Sequence, residues 1–149
     1  MKIITKDFEE LNGKEIYEIL KIRSEVFVLE QKCLYLDLDE KDFNAKHLYF
    51  YDEASKEIIC YCRILNRGIS FPTISIGRVL TNIKYRHNQY ARRMLEKAIE
   101  IVKIEMNEKE ITISAQNYLR DFYKSLGFIE ISEVYDEDGI PHIDMNLKL

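Results

Sequence analysis

Residues 73–99, TISIGRVLTNIKYRHNQYARRMLEKAI, carry the spacing with the clearest chemical use. They read as a strand, a short loop and a helix, with Arg86 just before the helix and Arg92 and Arg93 in its first turns. The first N–H groups of a helix have no intrahelical acceptor and sit at the positive end of its dipole, so a loop leading into them can hold a pyrophosphate. The same charges suit a plain solvated helix start, and these residues alone leave both readings standing. A second charged stretch, Asp37, Asp39, Glu40 and Asp42, has a field that would draw a cationic acceptor such as a polyamine or a lysine side chain, and is equally read as a solvated acidic loop. Metal chemistry is not expected: no His, Cys and Asp residues share ligand spacing, and Cys33, Cys60 and Cys62 contain no C-x-x-C pair. Cys60 and Cys62, two apart in an apolar run, share one face of a strand and read as core thiols.

These groups need elements to position them. Lys2 to Lys6 makes a short strand. Asn12 with Glu15 three residues on forms a helix N-cap with a reciprocal partner, followed by a helix whose stripe Ile16, Ile19, Leu20, Arg23, Val26 and Phe27 reaches about Glu30. Gln31 to Lys46 has no clear period and is expected to be a loop with at most a helical turn. His47 to Asn66 reads as a hairpin around the polar DEASK turn, and Thr73 to Asn82 continues the sheet. Ala91, Met94, Leu95, Ala98, Ile101 and Val102 mark the best-defined helix, within Gln89 to Asn107. Glu110 to Ala115 is a strand, and Asn117 to Leu126 a short helix stopped by Gly127. Phe128 to Tyr135 and Ile140 to Leu147 flank Asp138-Gly139, the signature of a tight hairpin turn. Pro141 in that hairpin points to an edge or a bulge near a cleft. The sum is a mixed sheet of about seven strands with three or four helices.

Five segments resemble the GNAT superfamily of acyl-CoA N-acyltransferases. Arg86-His87-Asn88-Gln89-Tyr90-Ala91 is similar to its Arg/Gln-x-x-Gly-x-Gly/Ala loop, with Gln89 at the glycine position. A non-glycine residue there costs about 1–2 kcal/mol if left-handed, so Gln89 implies a different loop path or a weaker grip on the phosphates. Gln116 to Phe128 resembles the Asn-x-x-Ala-x-x-x-Tyr-x-x-x-Gly-Phe segment, with Gln116, Tyr123 and Gly127-Phe128 at matching positions. Arg23 to Gln31, Ser75 to Val79 and Glu137 to Ile143 look like the small bacterial GNAT proteins of the ElaA type. The resemblance spans nearly the whole chain.

It implies the GNAT fold, α/β (α+β) with a single mixed, mostly antiparallel sheet, and transfer of an acetyl group from acetyl-CoA to a small-molecule or peptide amine by direct attack. By resemblance, Val79, Leu80 and Thr81 would meet the pantetheine arm and thioester oxygen, and Arg86 through Ala91 the pyrophosphate, with Gln116 beside them. Tyr123 would protonate the leaving thiolate, as a phenol with a pKa near 10 is able to do. Without the resemblance, Tyr123 is one member of a core stripe. The base must be a carboxylate or histidine that reaches the amine, and the candidates are Glu30, His142 and Glu133. Each also has a structural reading: Glu30 in a salt bridge, His142 as a satisfied strand histidine. Two alternatives stay open, a catalytically silent CoA-binding module, which Gln89 favours, and an acyl-homoserine-lactone synthase, for which 149 residues is short.

Composition bounds the rest. A chain of 149 residues with 46% hydrophobic and 32% charged residues suits one folded domain, 1–149. With 26 acidic against 22 basic residues, the net charge of −4 argues against a nucleic-acid partner. The first twenty residues lack an apolar run of signal-peptide or membrane length, so no membrane partner and a cytoplasmic location are expected. Self-association as a homodimer is left open.

Overall fold

The computed structural model describes residues 1–149. Its sheet has eight strands: β1 (Lys2–Asp7), β2 (Ala45–Asp52), β3 (Glu57–Leu65), β4 (Ile74–Thr81), β5 (Glu110–Gln116), β6 (Ile129–Glu130), β7 (Tyr135–Glu137) and β8 (Ile140–Lys148). The spatial order is β1-β2-β3-β4-β5-β8, with β6 and β7 sharing the outer edge of β8. All neighbours are antiparallel except β4 and β5. The three α-helices are α1 (Gly13–Arg23), α2 (Tyr90–Glu100) and α3 (Arg120–Ser125).

Local chemistry sets the helix ends. Asn12 Oδ1 accepts the Glu15 N–H at 2.8 Å, and Glu15 Oε1 accepts the Asn12 N–H at 3.0 Å, the reciprocal cap expected at this site. Past Arg23 the helix widens into a π-type turn, Ser24–Glu30, in which the Gln31 N–H reaches back five residues to the Val26 carbonyl. A similar turn, Ile101–Glu105, extends α2. Gly127, with φ 103, closes α3, and Asp138 and Gly139, with φ 52 and 82, make the tight turn between β7 and β8.

Strand alternation divides the core. Tyr49, Tyr61 and Leu80 face α1 and its extension, packing on Ile19, Ile22, Val26 and Phe27. Phe50, Cys60 and Cys62 face the other way, against Met94, Leu95 and Ala98 of α2 and Tyr123 of α3. The two cysteines are fully buried, as their two-residue spacing requires. A side chain such as Leu95, 1% exposed, contributes about 1.5–3 kcal/mol through burial.

Three expectations shift. The Phe128 to Tyr135 strand is broken: only Ile129–Glu130 pairs with β8 there, and β7 begins at Tyr135. Ser132 Oγ accepts the Asp144 N–H at 2.9 Å, so a side chain replaces the ladder across the break. β2 starts at Ala45, just after a 3₁₀ turn over Lys41–Asn44. Asn117–Leu119 is a 3₁₀ turn ahead of the α-helix. No helix is long and apolar enough to cross a membrane.

Candidate active site

The site begins where two strands part. β4 and β5 pair only at Ile74–Ile111 and Ser75–Thr112. Along its other edge, β4 breaks register with β3: Tyr61 opposes Leu80 and Arg63 opposes Gly77, so Arg78 and Val79 together face Cys62. Arg78 takes a φ of 50 at this bulge. An inserted residue bends a strand and increases its twist, and β4 swings away from β5. The space between them is a cleft of about 530 Å³, a size suited to a small ligand, and Val79, Gln116, Tyr123 and His142 lie in its walls. From Ile76 to Thr81 this edge of β4 has no strand partner, so its outward main-chain donors and acceptors are available to an extended chain.

Tyr123 is delivered to this cleft by α3. Its ring packs edge-on against Phe122 at 5.4 Å and Phe128 at 5.8 Å. The only sealed side-chain polar atom without a partner is Arg63 Nε, so the Tyr123 hydroxyl, which has no hydrogen bond in the chain, meets the open cleft. Burial pushes this phenol well above its ordinary pKa, leaving it protonated at neutral pH. Gln116, at the end of β5, donates through Nε2 to Gln31 Oε1 at 3.2 Å and ties the two walls together.

The loop before α2 has the amide geometry expected of an anion site. Asn82 satisfies the amides of Lys84 and Tyr85, but no main-chain N–H from Arg86 to Arg92 reaches a main-chain acceptor; the next bonded amide is Arg93, to the Gln89 carbonyl at 3.1 Å. His87 and Gln89 are both left-handed, with φ 68 and 63. Gln89 therefore takes a backbone conformation that glycine enters freely and carries the strain of doing so. A second cavity of about 170 Å³ opens here, lined by Thr81, Arg86, His87, Gln89 and Ala91 among others. The arginine side chains are engaged within the protein. Arg86 donates through Nε to the Thr81 carbonyl at 3.1 Å and through both terminal nitrogens to Glu30. Arg92 donates to Ser125 Oγ at 2.6 Å, and Arg93 lies over the Tyr90 ring at 5.2 Å. Asn88 bonds the carbonyls of Tyr85 and Arg86 through Nδ2.

The three base candidates separate. His142 sits in β8 opposite Gln116 on one side and Tyr135 on the other. Its Nδ1 lies 2.8 Å from the Ile140 carbonyl. A carbonyl oxygen only accepts, so Nδ1 carries a proton, and Nε2 faces the Glu137 carboxylate at 3.5 Å. Glu30 is held by Arg86, whose hydrogen bond keeps its carboxyl below the usual range. Glu133 is exposed, between β6 and β7, and is not in the cleft wall. Pro141 pairs with Asp136 of β7, and β5 begins pairing with β8 only at His142, so the proline stands outside the central ladder.

The three aspartates of the acidic stretch do not offer free charge; Glu40 is exposed and outside their network. Asp37 joins Arg23 Nε at 3.0 Å to Arg78 Nε at 2.8 Å. Arg63 holds Asp39 through two nitrogens, at 2.8 and 2.5 Å, and Asp42 at 2.9 Å, which Arg23 also reaches at 2.7 Å. Burial raises the Asp39 carboxyl, but Arg63 outweighs it and holds the pKa at about 2. The expectation that Asp37, Asp39 and Asp42 draw a cationic acceptor is thereby corrected: three aspartates balance three arginines. The sequence reading missed this cluster. Its signal was Arg23 in a helix stripe and Arg63 in the apolar run EIICYCRIL, since a guanidinium at such positions must be paired.

Comparisons with known proteins agree with this fold. The model of the acetyltransferase (GNAT) domain matches residues 11–149. A UPF0039 protein of Schizosaccharomyces pombe is 37% identical over 150 residues, covering 100% of this chain and 98% of that protein. Protein ElaA of Escherichia coli is 35% identical over 136 residues, 91% of this chain and 89% of its own. Its crystal structure superposes with a TM-score of 0.90 at 32% identity over 98% of each chain. An acyl-CoA N-acyltransferase from Pseudomonas aeruginosa gives a TM-score of 0.92 at 32% identity, again over 98% of each.

Proposed function

The chain belongs to the acetyltransferase (GNAT) family, and from that premise we propose that it moves an acetyl group from acetyl-CoA to an amine by direct attack, with Tyr123 as general acid and His142 as general base. The observation that carries this reading is the unpartnered Tyr123 hydroxyl in the cleft opened where β4 leaves β5. The free edge of β4 over Val79, Leu80 and Thr81 takes the amide-bearing pantetheine arm, and a main-chain N–H there donates to the thioester oxygen. The unbonded amides from Arg86 to Ala91 take the pyrophosphate, and Gln116 keeps the walls at their spacing.

The amine nitrogen attacks the thioester carbon, forming the C–N bond as the C–S bond breaks. His142 Nε2 accepts the amine proton, and the Glu137 carboxylate at 3.5 Å offsets the charge gained by the ring. Tyr123 gives its proton to the departing thiolate sulfur and is reprotonated from solvent. The acceptor is a small or peptidic amine, since the cleft holds about 530 Å³.

Calorimetry with acetyl-CoA, followed by a free-thiol assay over a panel of primary amines, tests the reading. Binding together with amine-dependent thiol release is expected. Binding without turnover on every amine would make the chain a CoA-binding module, and no binding would remove the proposal.

A further inference from the structure

Arg78 is the residue at which the cleft is opened, and its side chain is anchored on the loop that follows the α1 extension. Its φ of 50 is left-handed, a conformation that costs a non-glycine residue about 1–2 kcal/mol. Charge-assisted contacts hold it there. Nε donates to Asp37 Oδ1 at 2.8 Å, Nη2 donates to the Asp37 carbonyl at 3.0 Å, and the Asp39 carboxylate lies 3.4 Å from the same nitrogen. The Tyr35 ring lies beside the guanidinium, 5.3 Å away. Asp37 is itself held by Arg23, fully buried, which bonds its carboxylate at 3.0 Å and its carbonyl at 3.1 Å. A chain of contacts therefore runs from α1 through Asp37 to the bulge in β4.

From this arrangement we infer that Arg78 is a positioning residue: clamped by Asp37, it keeps β4 bent away from β5 and so aims the free edge of that strand at the thioester. The inference rests on the transfer reading above. Without the clamp, nothing offsets the left-handed conformation at residue 78, and β4 relaxes toward regular pairing with β3. The edge from Ile76 to Thr81 then moves, and a displacement of about 1 Å at a reacting group is enough for a hundredfold loss of rate. The Arg86–Arg92 loop is held by other contacts, those of the Arg86 and Asn88 side chains, so acetyl-CoA binding is affected less.

The experiment compares wild type with Arg78→Ala, Arg78→Gly and Asp37→Asn in the full chain. It reads kcat and KM, acetyl-CoA affinity by calorimetry, and hydrogen exchange of the β4 amides. Arg78→Ala is expected to lower kcat by about tenfold or more while acetyl-CoA affinity changes by about threefold or less, and to speed exchange over residues 76–81. Asp37→Asn should move both in the same direction. Arg78→Gly should retain several-fold more kcat than Arg78→Ala, because glycine takes positive φ freely. Counting competent sites by calorimetric stoichiometry separates this order from a loss of folded protein. A kcat for Arg78→Ala within twofold of wild type, or a change confined to the amine KM, would overturn the positioning role. Unchanged β4 exchange would overturn the clamp whatever the turnover, whereas a wild type that binds acetyl-CoA but acetylates no amine removes only the transfer reading.

Discussion

Arg86 meets Glu30 through both terminal nitrogens of its guanidinium, 56 residues away in the chain, and its Nε donates to the Thr81 carbonyl. The pair joins the end of the α1 extension to the loop before α2, and it decides what Glu30 can do. A carboxylate whose proton affinity is lowered by a bound arginine is a poor base. Glu30→Gln should therefore keep kcat within about threefold of wild type, and a loss above about a hundredfold would instead make Glu30 the base.

Tyr123→Phe removes the one hydroxyl that faces the cleft from α3 and leaves the ring packing on Phe122 and Phe128 in place. We expect kcat to fall at least ~10-fold, with acetyl-CoA affinity nearly unchanged. Wild-type turnover in this variant would reject the acid role.

His142→Gln keeps a polar side chain in β8 but loses the basic nitrogen opposite Glu137. The expected result is a drop in kcat/KM of about a hundredfold or more. A kcat/KM within about threefold of wild type would assign the proton transfer to another group.

Gln89 occupies the left-handed region with φ 63, and glycine enters that region without a Cβ penalty. Gln89→Gly should raise unfolding stability by about 1 kcal/mol once the greater freedom of glycine in the unfolded chain is subtracted. Urea melts provide the measurement; a destabilised variant would show that the Gln89 side chain makes a contribution larger than its strain.

His47 is buried between the Tyr61 hydroxyl at 2.8 Å and the Asp42 carbonyl at 3.0 Å, and burial lowers its pKa below the ordinary value of 6.5. As pH falls below that value the unfolded chain binds a proton that the native state refuses, so stability decreases with acid. Asp39 continues the trend: its unfolded carboxyl titrates near 3.8 and its native one at about 2, so the stability present above the first value is lost toward the second. Urea midpoints should fall between pH 7.5 and 5.5 and again below pH 4. A flat midpoint over the first interval would show that His47 is not buried neutral.

Most of the elements were legible in the chain because they are written in local periods. The α2 stripe, the Asn12–Glu15 cap, the placement of Cys60 and Cys62 on one face and the Asp138-Gly139 turn each depend on residues a few positions apart. The break after Ile129–Glu130 was not legible, since an apolar run of strand-forming residues carries no sign that Ser132 will take over a ladder bond. In the site, the loop Arg86 to Ala91 and Tyr123 were marked by motif resemblance. The occupation of Glu30 by Arg86 lay open only as a generic salt bridge.

What the sequence determined by itself is most of the helices and strands, the family and the residue types that could hold an anion or move a proton. These follow from backbone propensity, hydrophobic period and short motifs, all of them local. The tertiary structure alone decided which charges are free. The acidic residues Asp37, Asp39 and Asp42 become the partners of Arg23, Arg63 and Arg78 only when α1, β3 and β4 are brought together, because pairing depends on distance in space and not along the chain.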